Sequence, residues 1–317
     1  MSDPISKNGD AVDGDRWETA IQVRGTYQEI LTAARWAESF GLAALAVPDH
    51  YLASATELGE PAWDSLIQLA GLARETQRIE LVDLVSPITF RHPAVYAKTA
   101  VTISDMSDNR FLLGLGTGWM EEEHELFGFP FPAVAERFRM LEEALGYLDA
   151  LTHGTAFEGH HYQLENFGAM PPFQVPIVVG GTGLSKTPAL AGHFAREFNL
   201  FPGKAGDIAE RIEQCLQTAT LRGRSPAEIR LSFTCVPVAG MDGDGYRKSL
   251  EKQAVLLARD PDELEGRLTY RGIPHGTREQ VQVEMAKLSE LGIARFYLQC
   301  PTTDPSELEQ MVAPYLP

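Results

Sequence analysis

Cysteine is scarce in this chain. Three residues, Cys215, Cys235 and Cys300, occur among 317, with no C-x-x-C pair. That excludes a disulfide-stapled secreted scaffold and a paired-thiolate metal centre, and leaves free buried thiols in a reducing cytosol as the expectation. Basic residues are also in short supply: 27 lysines and arginines face 44 aspartates and glutamates, a formal net charge of -17. Nucleic acid and anionic membrane surfaces, which both select basic patches, are therefore not expected partners. No apolar run reaches the roughly 18 residues of a membrane span, and the polar opening "MSDPISKNGDAVDGDRW" has no signal-peptide core. Residues 1–16, crowded with Asp, Gly and Asn, are expected to form a flexible leader ahead of a single domain over 17–317, in a cytoplasmic protein. The chain also has no H-E-x-x-H and no G-x-S-x-G, so zincin and α/β-hydrolase chemistry lack their residues.

What the chain does have is a regular alternation. Short apolar runs are each followed by a helical pattern: "AIQV" by "TYQEILTAARWAESFG", "ALAV" by "DSLIQLAGLARETQ", "IELVDLV" by "VYAKTAVTISDMS", and "RFLLGLG" by "ERFRMLEEALGYLDALTHG". Then come "VPIVVGG" with "KTPALAGHFA", "EFNLFPG" with "GDIAERIEQCLQTATLRG", "IRLSFTCVPVAG" with "TREQVQVEMAKLSELG", and a last strand, "ARFYLQC". Strands alternating with helices of this length form a parallel sheet buried on both faces. Eight units in one unbroken series predict a closed (β/α)8 TIM barrel of the α/β class. Two stretches, 119–135 and 241–276, exceed simple connections and predict insertion loops at the C-terminal mouth, the second holding extra helix and a mobile loop.

In such a barrel the active site lies at the C-terminal ends of the strands. Polar residues at those positions are the candidates: Asp49 and His50 after the second strand, and Asp83, Ser86 and Thr89 in and after the third. Thr117, Gly118, Trp119 and Glu122 follow the fourth, Gly180, Gly181, Thr182 and Gly183 the fifth, and Asn199 ends the sixth. Asp83 raises a question of its own, since a carboxylate inside an apolar strand is costly unless it faces a polar ligand or is held by hydrogen bonds from its surroundings; both readings stand at this point. "VVGGTGLSKT" predicts an anion cradle on the N–H groups of Gly181, Thr182 and Gly183, at a following helix N-terminus. It departs from a P-loop because Ser185 stands where the glycine before Lys186 is required. "LGLGTGW" is G-x-G-x-G, too short for a dinucleotide fingerprint. His50, in "PDH" at a strand end, is the best-placed of the eight histidines for proton transfer, because imidazole changes charge near neutral pH.

Taken in order, "VPDHY", "LVSPITFRHPAVYAKTA", "LGLGTGWMEEEHELFGFPFP", "ERFRMLEEAL", "FEGHHYQL", "VPIVVGGTG" and "EFNLFPG" resemble the bacterial luciferase-like superfamily, closest to its coenzyme F420-dependent oxidoreductases. The resemblance runs from about Trp17 to Gln299. It implies a TIM barrel that binds F420, or alternatively FMN, at its mouth, with the ring against a cis-peptide bulge on the third strand, here at Asp83–Leu84. It implies hydride transfer between F420 and a small organic substrate, with His50 as general acid/base, Asp49 holding its orientation and Glu122 as a second carboxylate. Cofactor contacts would come from Asp83, Leu84, Ser86, Thr117, Gly118, Gly180, Gly181, Thr182, Gly183 and Asn199. The departure is Asp83, where relatives usually carry Ser, Thr or Gly. A homodimer is expected by resemblance. The alternatives are an FMN-dependent monooxygenase and a non-catalytic barrel that holds the cofactor without turning it over.

Overall fold

Eight parallel strands close into a barrel in the computed structural model, which describes residues 17–52, 62–165, 171–204 and 206–317. The expected leader, 1–16, lies outside the described residues, as does most of the 51–63 connection. The strands are β1 (Glu18–Gln22), β2 (Ala44–Val47), β3 (Glu80–Asp83), β4 (Phe111–Gly116), β5 (Ile177–Gly181), β6 (Glu197–Leu200), β7 (Arg230–Cys235) and β8 (Ile293–Gln299). Each pairs with its neighbour in sequence, β8 pairs with β1, and a β3–β4 pairing completes the ring. The register of β1 on β8 runs from Glu18 opposite Arg295 to Gln22 opposite Gln299.

The helices are α1 (Tyr27–Phe40), α2 (Ser65–Glu75), α3 (Pro93–Met106), α4 (Glu121–Phe127), α5 (Val134–His153), α6 (Lys186–Phe194), α7 (Asp207–Leu221), α8 (Gly243–Leu256), α9 (Pro261–Tyr270), α10 (Arg278–Glu290) and α11 (Pro305–Val312). Local signals set their ends. Thr26 and Glu29 form a capping box at the start of α1, and Gly41, at φ 87°, stops it; the cap satisfies N–H groups that the first turn leaves unpaired. Asp64 caps α2, and Pro93 opens α3, where its missing N–H costs nothing. The apolar stripe of α1, Ile30, Leu31, Ala33, Ala34 and Ala37, is buried on the strands, at roughly 1.5–3 kcal/mol for each large side chain.

Strand side chains alternate between two cores. Outward residues such as Leu81, Phe111 and Leu113 pack under the helices. Inward residues Ala20, Ala44, Ala46, Val82, Leu84, Leu112, Val178 and Tyr297 fill the barrel axis. Beneath them is a layer of charge. Arg295, 1% exposed, meets Glu18 at 2.6 Å and Glu80 at 2.7 Å, and Arg230 reaches Glu80 at 3.1 Å and Glu197 at 3.2 Å. This charged layer sits at the N-terminal end of the axis, opposite the C-terminal mouth.

Two segments differ from the sequence reading. "IRLSFTCVPVAG" is not one strand: β7 ends at Cys235, and Val238–Gly240 leaves the barrel to pair with His275–Thr277. The 241–276 insertion, expected to hold extra helix and a mobile loop, carries two helices, α8 and α9. Among the described residues no helix is long and apolar enough to cross a membrane.

Candidate active site at the barrel mouth

A cavity of about 550 Å³ opens at the C-terminal ends of the strands. Every barrel strand except β7 contributes to its wall, through Gln22, Pro48, His50, Leu84, Val85, Pro87, Gly116, Thr117, Gly118, Trp119, Gly180, Gly181, Thr182, Phe201 and Gln299, and Arg271 reaches in from the end of α9. The wall is mainly apolar, with a few convergent polar groups, as small-molecule sites generally are. At its floor Gln22 donates to the Leu84 carbonyl at 2.6 Å and accepts from the Gln299 amide at 2.7 Å. The peptide between Leu84 and Val85 is cis, one residue beyond the expected Asp83–Leu84 bond. Room for this bulge comes from glycine: a Cβ on Gly114 would sit 2.0 Å from the Asp83 carbonyl oxygen, and one on Gly180 would sit 3.0 Å from Val85.

His50 lines the cavity, with its ring edge against Trp119. Its orientation is set by Glu123. That carboxylate is fully buried and lies 3.1 and 3.2 Å from Nδ1 of His50, while accepting the Tyr51 N–H at 2.9 Å. With Nδ1 occupied as a donor, Nε2 is the nitrogen left to exchange a proton with a ligand. Glu122, the expected second carboxylate, is exposed on the outer side of α4. Within the "EEE" triplet the helical turn sends Glu123 inward and its predecessor to solvent, a distinction of one position that no spacing rule in the sequence decides.

Asp49 does not hold His50. Its carboxylate pairs with Arg91 and accepts the Ser86 hydroxyl at 2.6 Å. Asp83 likewise does not face the cavity. In β3, Val82 and the following Leu84 point to the axis, so Asp83 points outward, fully buried, toward the start of α2. There it accepts the Ser65 hydroxyl at 3.0 Å and lies 2.6 Å from the Ser86 oxygen. Ser86 carries one proton but makes two contacts of 2.6 Å to carboxyl oxygens, so one carboxyl must supply the other proton. Burial first, and the Asp49 charge second, push the Asp83 pKa well above its ordinary value, while Arg91 balances Asp49. Asp83 is therefore the neutral member: its O–H donates to Ser86, which donates to Asp49. Of the two readings open for this carboxylate, the structure gives the one in which neighbouring groups hold it, and Ser86 serves that network behind the wall.

The glycine-rich end of β5 and the residue after it present Gly180, Gly181 and Thr182 to the cavity. Gly181 has φ 154°, and its carbonyl accepts from the buried Arg211, which also donates to the Phe201 carbonyl at 2.9 Å. Gly183 lies back against Thr187, outside the wall. Asn199 is also outside it: its amide donates to Ser232 at 2.9 Å and accepts from Thr234 at 3.1 Å, sealed inside the barrel. Gln22, Val85, Phe201, Arg271 and Gln299 were not anticipated. Gln22 and Gln299 end their strands on the inward parity, a signal available in the sequence; Arg271 arrives from an insertion and gave none.

Known proteins resemble this chain in sequence and in fold. The family described as luciferase-like monooxygenase matches residues 13–267. An F420-dependent glucose-6-phosphate dehydrogenase of Amycolatopsis mediterranei is 29% identical over 206 residues, covering 63% of this chain and 60% of that protein. Another, of Kineococcus radiotolerans, is 28% identical over 307 residues, covering 89% and 90%. The match thus spans less than two thirds of the first relative and nearly all of the second. A solved F420-dependent secondary alcohol dehydrogenase in complex with an F420-acetone adduct superposes with a TM-score of 0.77 at 19% identity, over 95% of this chain and 98% of that one. At that identity the likeness carries the fold alone.

Proposed function

The chain belongs to the luciferase-like monooxygenase family, and from that premise we propose that it is an F420-dependent oxidoreductase acting on a small organic substrate. The observation that carries the reading is the pairing of an apolar platform, Leu84 and Val85, with an anchored proton-transfer group, His50, in one cavity of about 550 Å³. The names of the relatives support F420 over FMN. The cavity fits such a group: glycines at 114, 116 and 180 leave Val85 as the surface over the axis, suited to a flat ring. The neutral Asp83 places no negative charge behind that surface. The Gly180–Thr182 turn, with Arg271 at the rim, suits an anionic tail.

When bound, the deazaflavin supplies or accepts the hydride. The chain's own residues do the rest. Leu84, Val85 and Pro87 exclude water from one side. Glu123 holds the Nδ1 proton of His50, so that Nε2 gives or takes the substrate proton, and the carboxylate stabilises the imidazolium that forms. Gln22 and Gln299 fix the floor. Absorbance titration of the purified protein with F420 and, separately, with FMN tests this. F420 binding with anaerobic turnover is expected; FMN binding with oxygen uptake, and no binding of F420, would refute it.

A further inference from the structure

Away from the mouth, three side chains converge that the proposed reaction does not use. Glu136 stands in the first turn of α5, and His160 and His161 form the turn of a small hairpin in which Phe157–Glu158 pairs with Gln163–Leu164. One ligand atom from each, a carboxylate oxygen and two imidazole nitrogens, lie within 4.8 Å of one another. None of the three lines the cavity.

The turn is held in place by α5. Glu143, two helical turns after Glu136, accepts the His161 N–H at 2.6 Å and the Tyr162 N–H at 3.3 Å. The two histidine rings stand at 83° with centroids 4.8 Å apart, so neighbouring residues can aim nitrogens at one point. His161 Nε2 is buried and makes no hydrogen bond, although Glu136 Oε1 is 2.7 Å away. The contact is an ion pair and not an aligned hydrogen bond, so the two candidate donors already face each other. The second Glu136 oxygen pairs with Arg139, the kind of outer partner that orients a ligating carboxylate.

We propose that Glu136, His160 and His161 bind a borderline divalent cation of the zinc or cobalt class, which clips the hairpin onto α5. Two imidazoles and a carboxylate are a donor set such ions favour, with a water completing the tetrahedron. With metal–ligand bonds of about 2.0–2.1 Å, donors around a tetrahedral ion sit about 3.3 Å apart. Separations of up to 4.8 Å therefore close by at most about 1.5 Å, within reach of the exposed His160 ring, while Oε1 and Nε2 open slightly.

The test uses untagged, metal-free full-length protein, titrated calorimetrically with Zn²⁺ and followed with Co²⁺ by visible absorption. One equivalent should bind, with the intense bands of four-coordinate Co²⁺ and a rise in melting temperature. Glu136→Gln, His160→Ala and His161→Ala should each weaken binding at least tenfold, since loss even of an outer partner costs that much. The melting temperature of metal-free His160→Ala should match the parent's, because that side chain is exposed. Absence of binding, or a loss below tenfold in His160→Ala or in either other variant that folds, would overturn the site.

Discussion

Replacing Asp83 with asparagine should leave the protein at least as stable at neutral pH, although it removes a fully buried carboxylate. The amide reproduces the hydrogen bonds of a protonated acid. Its oxygen accepts from Ser65, now at 3.0 Å, and its N–H donates to Ser86, now at 2.6 Å, leaving the Ser86 proton for Asp49. The magnitude follows from linkage. A carboxyl whose pKa is raised in the fold stabilises the folded state fully below its unfolded value, 3.8. That contribution is lost as pH climbs to the folded value, at about 1.4 kcal/mol for each unit of separation. Asparagine has no such loss, so the stability of Asp83→Asn relative to the parent should rise with pH above 3.8 by up to about 1.4 kcal/mol per unit, then level off.

Urea unfolding of both proteins at intervals between pH 4.5 and pH 8, conditions chosen to bracket about four units above the unfolded carboxyl, measures this directly. Asp83→Ala is the contrasting variant: it strands the Ser65 and Ser86 hydroxyls, at about 1–3 kcal/mol for each unsatisfied group. A pH-independent difference between parent and Asp83→Asn, or a loss of about 3–5 kcal/mol at pH 8 of the size seen when a buried ion pair is broken, would refute a neutral Asp83. The assignment also bears on the cofactor. If Asp83 carries no charge behind Leu84 and Val85, Asp83→Asn should bind F420 as the parent does.

Other outcomes are expected. His50→Ala should slow turnover by about 10²–10⁴-fold with cofactor affinity unchanged in titration; full activity would remove it from proton transfer. Glu123→Gln should lower kcat more than it raises KM in steady-state kinetics, because an amide can turn its N–H toward Nδ1 and no longer fixes that nitrogen as the donor. Gly114→Ala should destabilise by about 1–3 kcal/mol or more in urea unfolding, since its Cβ would meet the Asp83 carbonyl at 2.0 Å. Ellman's reagent at pH 8 should label none of the three cysteines in the folded protein, because burial pushes Cys215 and Cys235 up to about 12 and raises Cys300 as well; all three should react on unfolding.

The barrel was legible because its signal is redundant: eight apolar runs and the seven helical stripes between them repeat one statement, and "ALAV" corresponds residue for residue to β2. Cavity position was legible for the same reason, since strand ends carry His50, Thr117, Gly118 and the 180–182 turn to one mouth. Which way a side chain points was harder. In β3 the period of two would have assigned Asp83 to the outer face once Val82 and Leu84 were placed on the axis, but polarity drew it toward the ligand, because a carboxylate under helices looks unaffordable until Ser65 and Ser86 are seen beside it. Asn199 misled in the opposite way: its parity is inward, yet Ser232 and Thr234 occupy its amide below the cavity floor. The 122/123 choice shows the limit most clearly. Glu121, Glu122 and Glu123 are chemically identical, and only the angle at which α4 leaves Met120 decides which of them reaches His50. That angle depends on packing such as the His124 ring between Thr89 and the Met120 carbonyl, each at 2.7 Å, contacts 35 residues apart in the first case. The His50–Glu123 contact, assembled across 73 positions, is thus fixed by tertiary contacts, and the residue to mutate is the one the helix turns inward.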